Sequence, residues 1–257
     1  MTMNIGETLS DIGIMTRRNI LKYARLPQLL LFSAFFNVVL LLLFNYVFGG
    51  AIQTGTADYI QFLLPGFLVS VVIFGSTETS VGIAEDLSKG LIDRFRSLPM
   101  ARSAFLTGRV FSDAARYLVL VTLMVAVGYA IGFRFQAGAA SALASIGLIL
   151  LFGMAFTWIS VFIGVLVKDV ETAQSGGFFW IFPLVFASSI YVPIETMPSW
   201  LEAFARINPV TAMVDTVRAL AYGTEVWPSL WKNLVWNAGI LLFFVPMAVR
   251  RYRLLAR

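Results

Sequence analysis

Residues 29–48 read LLLFSAFFNVVLLLLFNYVF: twenty positions without a single charge. Wound as a helix at about 1.5 Å per residue, the stretch is about 30 Å long, which matches the hydrocarbon core of a bilayer. Five further stretches are long and apolar enough to span as helices: residues 59–84, 112–133, 139–167, 172–192 and 229–249. The pattern predicts an all-α, polytopic membrane protein with six transmembrane helices in one domain over residues 1–257. The composition agrees. The chain is 59% hydrophobic and 13% charged, whereas a soluble domain holds about 45–50% apolar residues. Its mean hydropathy is +0.83.

Six spans put both ends of the chain on one side. That side carries Arg17, Arg18, Lys22, Arg25, Lys89, Arg94, Arg96, Arg102, Arg109, Arg116, Lys168, Arg250, Arg251, Arg253 and Arg257. The other has only Arg134, Arg206, Arg218 and Lys232. The positive-inside rule therefore places both termini and the loop at 85–111 in the cytoplasm. The net charge of +5 is thus an orientation signal, and no nucleic-acid partner is expected. The first span is too long and too cleanly apolar for a signal-peptide core, so it is expected to be retained.

Chemistry is bounded by what is missing. There is no cysteine and no histidine, which removes thiolate nucleophiles, disulfides, His-ligated metals and Ser-His-Asp triads. None of the four lysines follows a glycine, so no phosphate-binding G-x-x-x-x-G-K-[ST] loop exists. No catalytic residue, metal site or cofactor of the chain's own is expected. If the protein moves anything at the expense of ATP, the motor is another chain.

One segment breaks the apolar run. Glu85-Asp86-Leu87-Ser88-Lys89-Gly90-Leu91-Ile92-Asp93-Arg94-Phe95-Arg96-Ser97-Leu98-Pro99 is charged, with Leu87, Leu91, Phe95 and Leu98 at helical spacing. A helix this short needs a seat for its apolar stripe, and a groove on a soluble partner supplies one. Before the first span, residues 1–28 place Ile5, Leu9, Ile12 and Leu21 opposite Glu7, Arg17, Arg18 and Arg25. They read as an amphipathic helix on the inner leaflet, or as a basic lead-in without structure. Residues 193–228 are too polar to span. There Asn208-Pro209 forms a helix start and Gly223 a stop, with Val210, Met213, Val214, Val217 and Ala221 on one face and Thr211, Asp215, Arg218 and Tyr222 on the other. Two short helices re-entering the outer leaflet, or a cap lying on its surface, fit this pattern.

Few residues inside the spans are polar. Glu78 is the acid most deeply set in an apolar stretch, where a charge costs about 2.5–3.5 kcal/mol on insertion scales. It serves either a substrate path or gate, or a pairing near the inner boundary. Asn37 and Asn45 in the first span, and Ser175, Ser188 and Ser189 in the fifth, suit interhelical hydrogen bonds, and Gly128 with Gly132 suits close helix packing. Phe178, Phe179 and Trp180, with Phe182, either line a pocket for flat apolar molecules or face lipid. Trp200, Trp227, Trp231 and Trp236 fit the outer interfacial belt.

Three of these stretches resemble a known family. Ala84-Glu85-Asp86 through Asp93-Arg94-Phe95-Arg96-Ser97-Leu98-Pro99-Met100, then Gly108-Arg109, then Asn208-Pro209-Val210-Thr211 with Asp215 and Arg218, are similar to the membrane subunits of ABC exporters in the daunorubicin/doxorubicin-resistance permease group. Polysaccharide, teichoic acid and nodulation-factor exporters are relatives of that group. The resemblance implies a dimer of permeases in a bacterial plasma membrane, docked on two copies of an ABC ATP-binding subunit that carries the ATP and Mg. It implies that Glu85, Asp86, Leu87, Lys89, Leu91, Arg94, Phe95 and Arg96 form the coupling helix, with the amino-terminal helix as a second contact. A substrate path between the two copies would be bordered by spans one, two and five, where Asn37, Asn45, Glu78, Phe178, Phe179 and Trp180 lie. The expected cargo is an amphipathic drug-like or lipid-like compound. A polysaccharide or glycolipid exporter, an ion-driven secondary transporter using Glu78, and a scaffold that only recruits an ATPase are the competing readings.

Overall fold

Apolar helix-forming runs separated by short glycine- and proline-marked turns leave the chain little choice but to bury one helix inside others. The computed structural model describes residues 5–25, 27–52, 58–90, 102–167 and 169–255. Nine α-helices are described: α1 (Ile5–Arg25), α2 (Pro27–Leu43, continued by a π-turn at Phe44–Phe48), α3 (Tyr59–Ser88), α4 (Arg102–Ala130), α5 (Ala139–Leu166), α6 (Val170–Phe186), α7 (Ser199–Ile207), α8 (Pro209–Tyr222) and α9 (Trp227–Leu255). A 3-10 turn at Ile194–Thr196 precedes α7. Among the described residues there is no strand.

Helix α3 is the axis of the bundle, buried nearly end to end and packed on α4, α5, α6 and α8. Between helices in lipid, apolar surface alone gives no preference for partner over solvent, so close packing and hydrogen bonds decide. Small residues supply the approach. A Cβ on Gly164 of α5 would stand 2.7 Å from the Ser80 carbonyl oxygen of α3, and one on Gly66 of α3 would stand 2.8 Å from Ile190. Hydrogen bonds then fix the register: Ser160 Oγ to Ser76 Oγ at 3.0 Å, Tyr117 Oη with Thr157 Oγ1 at 2.9 Å, and Ser80 Oγ to the Ala173 carbonyl at 3.2 Å. Such bonds average about 0.6 kcal/mol each in a membrane bundle. A second apolar core joins α1, α4, α5 and α9 through Met15, Phe105, Leu106, Trp158 and Tyr252.

Five helices are long and apolar enough to cross a membrane by length and composition: Leu30–Phe48, Tyr59–Ser88, Ala104–Ala130, Ala139–Leu166 and Trp227–Leu254. The remaining stretch, read as 172–192, forms the 17-residue α6 and then turns after Phe186. At 1.5 Å per residue α6 covers about 25 Å, short of a full hydrocarbon core.

Other boundaries differ in an instructive way. Helix α3 continues to Ser88, and Gly90 follows in the left-handed region at φ 68° with its amide on the Leu87 carbonyl at 3.1 Å. The charged segment is therefore split: Glu85, Asp86 and Leu87 are the last turn of α3, Lys89 caps it, and Gly90 ends it. Leu91, Arg94, Phe95 and Arg96 lie outside the described residues. Helix α4 begins ten residues before the expected span. Gly128 packs on Leu64 as small-residue spacing predicts, whereas Gly132 has nothing near it and ends the helix at φ 108°. On α1 the buried face is Met15 and Asn19 rather than Leu9 and Leu21, which stay exposed. Gly108 of α4 explains the shift, because its missing Cβ would lie 2.5 Å from Met15 Cβ.

Candidate functional site

The packing leaves a large concavity on the side of α3 that faces α2 and α6. It encloses about 870 Å³, inside the range of ligand sites. Aromatic rings make its wall: Phe74 of α3 meets Phe182 of α6 at 5.8 Å between centroids, and Phe178–Phe182, Phe182–Phe186 and Phe186–Tyr191 follow at 5.6, 5.5 and 5.4 Å. Phe44, where α2 continues into its π-turn, stacks on Tyr191 at 4.6 Å. Ser33 and Asn37 of α2, Gln174 of α6 and Glu78 of α3 interrupt this wall with polar groups, and Lys22, Glu85 and Arg109 line it as well.

Behind Glu78 lies a network of charges held between α1, α3 and α4. Arg109, Asp113 and Arg116 are spaced at i, i+4 and i+7, so they share one face of α4. Arg116 pairs with Glu78, lies 3.3 Å from Asp113 and donates to the Gly75 carbonyl at 2.7 Å. Arg109 lies 3.8 Å from Asp113 and 4.0 Å from Asp86. Asp113, fully enclosed, also accepts from Thr79 Oγ1 at 2.6 Å and from Tyr23 Oη of α1 at 2.8 Å. Burial, followed by the Asp113 carboxylate, raises the Tyr23 phenol above its usual range and keeps it a donor. A glycine makes room for this network: a Cβ on Gly82 would stand 2.1 Å from an Arg109 nitrogen.

The residues singled out from the sequence divide between these features. Asn37, Glu78 and Phe178 line the concavity. Phe179 and Trp180 do not: successive helical residues point about 100° apart, so Phe179 faces outward and Trp180 packs on Phe156 at 5.7 Å. Asn45 sits in the π-turn, where its carbonyl accepts from the Gly49 amide at 3.1 Å. Asn37 donates to the Ser33 carbonyl of its own helix at 2.8 Å. Glu85 is held by Lys89 at the rim, Leu87 is half-buried, and Asp86 turns inward to Arg109, with Arg18 of α1 at 3.9 Å. The helix expected to start at Asn208-Pro209 and stop at Gly223 is α8. Asn208 Oδ1 accepts from the Val210 amide at 2.8 Å and Gly223 ends the helix at φ 74°. Asp215 and Arg218 are 3.6 Å apart, and Arg218 ties α8 to the start of α3 and to the turn after α6 by donating to the Phe62 and Ser189 carbonyls at 3.0 and 2.6 Å.

Sequence reasoning missed Asp113 and saw Arg116 only as an orientation charge. The signal was present in Arg109-x-x-x-Asp113-x-x-Arg116, three charges on one helical face running into an apolar stretch.

A bundle of long apolar helices, cored by α3 and opened by an aromatic concavity, defines a multi-pass α-helical membrane protein. The chain belongs to the ABC-2 type transporter family, whose model matches residues 10–222. It is 32% identical over 236 residues to the daunorubicin resistance ABC transporter permease protein DrrB1 of Streptomyces coeruleorubidus, covering 92% of this chain and 83% of that protein. A Mycobacterium tuberculosis relative, "Probable doxorubicin resistance ABC transporter permease protein DrrC", is 27% identical over 244 residues, covering 92% and 86%. The doxorubicin resistance ABC transporter permease protein DrrB of the same organism is 25% identical over 234 residues, covering 89% and 80%. The three quoted motifs thus carried a correct family assignment.

Proposed function

We propose that the chain is the membrane subunit of an ATP-driven exporter that moves amphipathic drug-like or lipid-like compounds out of a bacterial cell. The observation that carries this reading is the aromatic concavity between α2, α3 and α6, whose inner end meets the charged network tying α1 to α3 and α4. Compounds entering from the inner leaflet would meet a polar rim first and an apolar, ring-lined interior beyond it. The relatives with printed roles in daunorubicin and doxorubicin resistance support the drug class over the polysaccharide and glycolipid alternative. Glu78, on which an ion-driven mechanism would depend, is ion-paired with Arg116.

In this reading α6 is the fifth of six spans, both termini are cytoplasmic, and α7 and α8 cover the bundle from outside. Two copies of the chain associate, each on one ATP-binding subunit that supplies ATP and Mg. The segment from Glu85 to Arg96 docks on that subunit, and α1 gives a second contact. Displacement of that segment reaches the concavity directly, because Glu85 and Asp86 belong to the same rigid helix as Glu78, two turns away.

Co-purification with the cognate ATP-binding subunit tests the docking. Leu91→Asp and Phe95→Asp should insert in the membrane at wild-type levels yet lose the ATPase on affinity purification. Normal recovery of the ATPase with both variants would remove the coupling assignment. Reconstituted vesicles holding both subunits should accumulate an amphipathic dye only with ATP. A dye gradient that survives without ATP and collapses with the proton gradient would favour an ion-driven carrier.

A further inference from the structure

A second hollow opens where α7, α8 and the first turns of α9 meet, and it encloses about 470 Å³. It shares no lining residue with the aromatic concavity. Five charged side chains line it: Arg206, Asp215, Arg218, Glu225 and Lys232. Three of them are committed elsewhere, since Arg206 is bound to Glu202 on its own helix and Asp215 faces Arg218 at 3.6 Å. Glu225 and Lys232 remain. Both are exposed, and neither has an ion-pair partner within 4.0 Å among the described residues, so they do not satisfy each other. Tyr222, the last residue of α8, also lines the hollow, and its buried Oη has no hydrogen-bond partner among the described residues. One carboxylate, one ammonium and one phenol are thus left with unused capacity. The depth of the hollow follows from α9. Trp227 and Trp231, next in sequence to the lining residues Pro228 and Lys232, are exposed, and exposed tryptophans mark the headgroup layer of a bilayer. Lys232 lies over the Trp231 ring at 6.0 Å. Val235, Gly239 and Leu242 continue the helical face of Pro228 and Lys232 at i+7, i+11 and i+14 from Pro228. Val235 and Leu242 are exposed, and nothing lies within 4 Å of where a Gly239 Cβ would stand. A charged hollow at headgroup depth therefore runs into a notched apolar strip.

We propose that this hollow holds the phosphoethanolamine headgroup of a phospholipid, with an acyl chain laid along Val235, Gly239 and Leu242. Glu225 accepts from the primary ammonium, while Lys232 and the Tyr222 hydroxyl donate to the phosphate. Charge-assisted bonds of this kind are shorter and stronger than neutral ones. An anionic phosphoglycerol headgroup has no cation for Glu225, and a quaternary phosphocholine has no N–H to give it. The hollow therefore distinguishes headgroups that share the phosphate. The site is separate from the concavity and from whatever the concavity carries.

Native mass spectrometry of the full-length protein in a neutral detergent tests this. Titration with phosphatidylethanolamine, phosphatidylglycerol and phosphatidylcholine of identical acyl chains counts the bound lipids and gives three affinities. One saturable site is expected, at which phosphatidylethanolamine binds at least about tenfold more tightly than the other two. Glu225→Lys should reverse the order and place phosphatidylglycerol first. Lys232→Gln should weaken all three alike, since all carry the phosphate. Both positions are exposed, so the fold bears either change. Soluble phosphoethanolamine is the last probe, and it should bind at least about tenfold more weakly than the lipid, because it lacks the chain that covers Val235 and Leu242. Equal affinities for the three lipids, or an order unmoved in Glu225→Lys, overturns the proposal. Affinities unmoved in Lys232→Gln overturn the phosphate contact. Soluble phosphoethanolamine binding as tightly as the lipid overturns the lipid as occupant and leaves the hollow to a water-soluble zwitterion.

Discussion

Gly82 lacks a side chain where Arg109 needs the space, and Arg109 is enclosed where Asp113 and Asp86 need a cation. This dependence makes the network sensitive to single changes and tolerant of matched ones. Removing one partner of a buried pair leaves an uncompensated charge and costs about 3–5 kcal/mol, whereas replacing both with apolar groups is often neutral. Arg109→Met and Asp113→Leu should each lower the thermal unfolding midpoint in detergent. The double variant should recover much of the loss, because Asp86 keeps Arg18 beside it. Additive losses in the double variant would mean the two side chains do not interact energetically. At this scale the sequence was only half legible. Glu78 stood out because apolar residues surround it on both sides. Asp113 did not, because it lies at the expected edge of a span, where a charge normally reaches water. Only the early start of α4 moves Asp113 from that edge into the interior.

Elements were legible where their ends are written locally and illegible where another element ends them. Helix α8 runs from Asn208-Pro209 to Gly223 as read, since its cap and its left-handed stop are both encoded in those residues. The charged segment after α3 was read as one amphipathic helix because its leucines keep their period through Gly90. The glycine outweighs that period by taking φ 68°, and α3 stops there. Helix α6 ends at Phe186 although the expected span continues to Val192. Asn208 supplies the reason: its Nδ2 donates to the Leu184 and Ala187 carbonyls, both at 2.8 Å, so the start of α8 satisfies the end of α6. One side chain therefore caps two helices. Asn208→Ala should cost about 1 kcal/mol for the cap on α8, and more for the carbonyls left without a donor. Hydrogen exchange should quicken at the amides of residues 184–187, at the end of α6, and in the first turn of α8. Faster exchange confined to α8 would show that the tie to α6 carries no energy.

Across the molecule the two faces of the bundle differ in what they ask of a neighbour. Helix α9 packs on α5, α8 and α4 and exposes Leu242 to the outside, a surface that lipid chains satisfy. The other face is formed by α2 and α6. Helix α2 buries little beyond Leu41 and shows Phe32, Phe35 and Phe36, while α6 shows Phe179, Phe182 and Phe186. Apolar rings alone would also be satisfied by lipid. The concavity between these helices is not, because Asn37, Gln174 and Glu78 open into it, and polar groups facing hydrocarbon are costly. A second copy covering α2 and α6 would shield those groups and enclose a path between the pair, as the proposed exporter requires. The chain has no cysteine, so single cysteines report proximity without background. Phe35→Cys and Phe179→Cys in native membranes should each give a cross-linked species of twice the chain mass with a short bifunctional thiol reagent, and Leu242→Cys should not. Cross-linking at Leu242→Cys alone would move the interface to α9 and leave the concavity facing lipid. Monomer in all three would remove the paired arrangement.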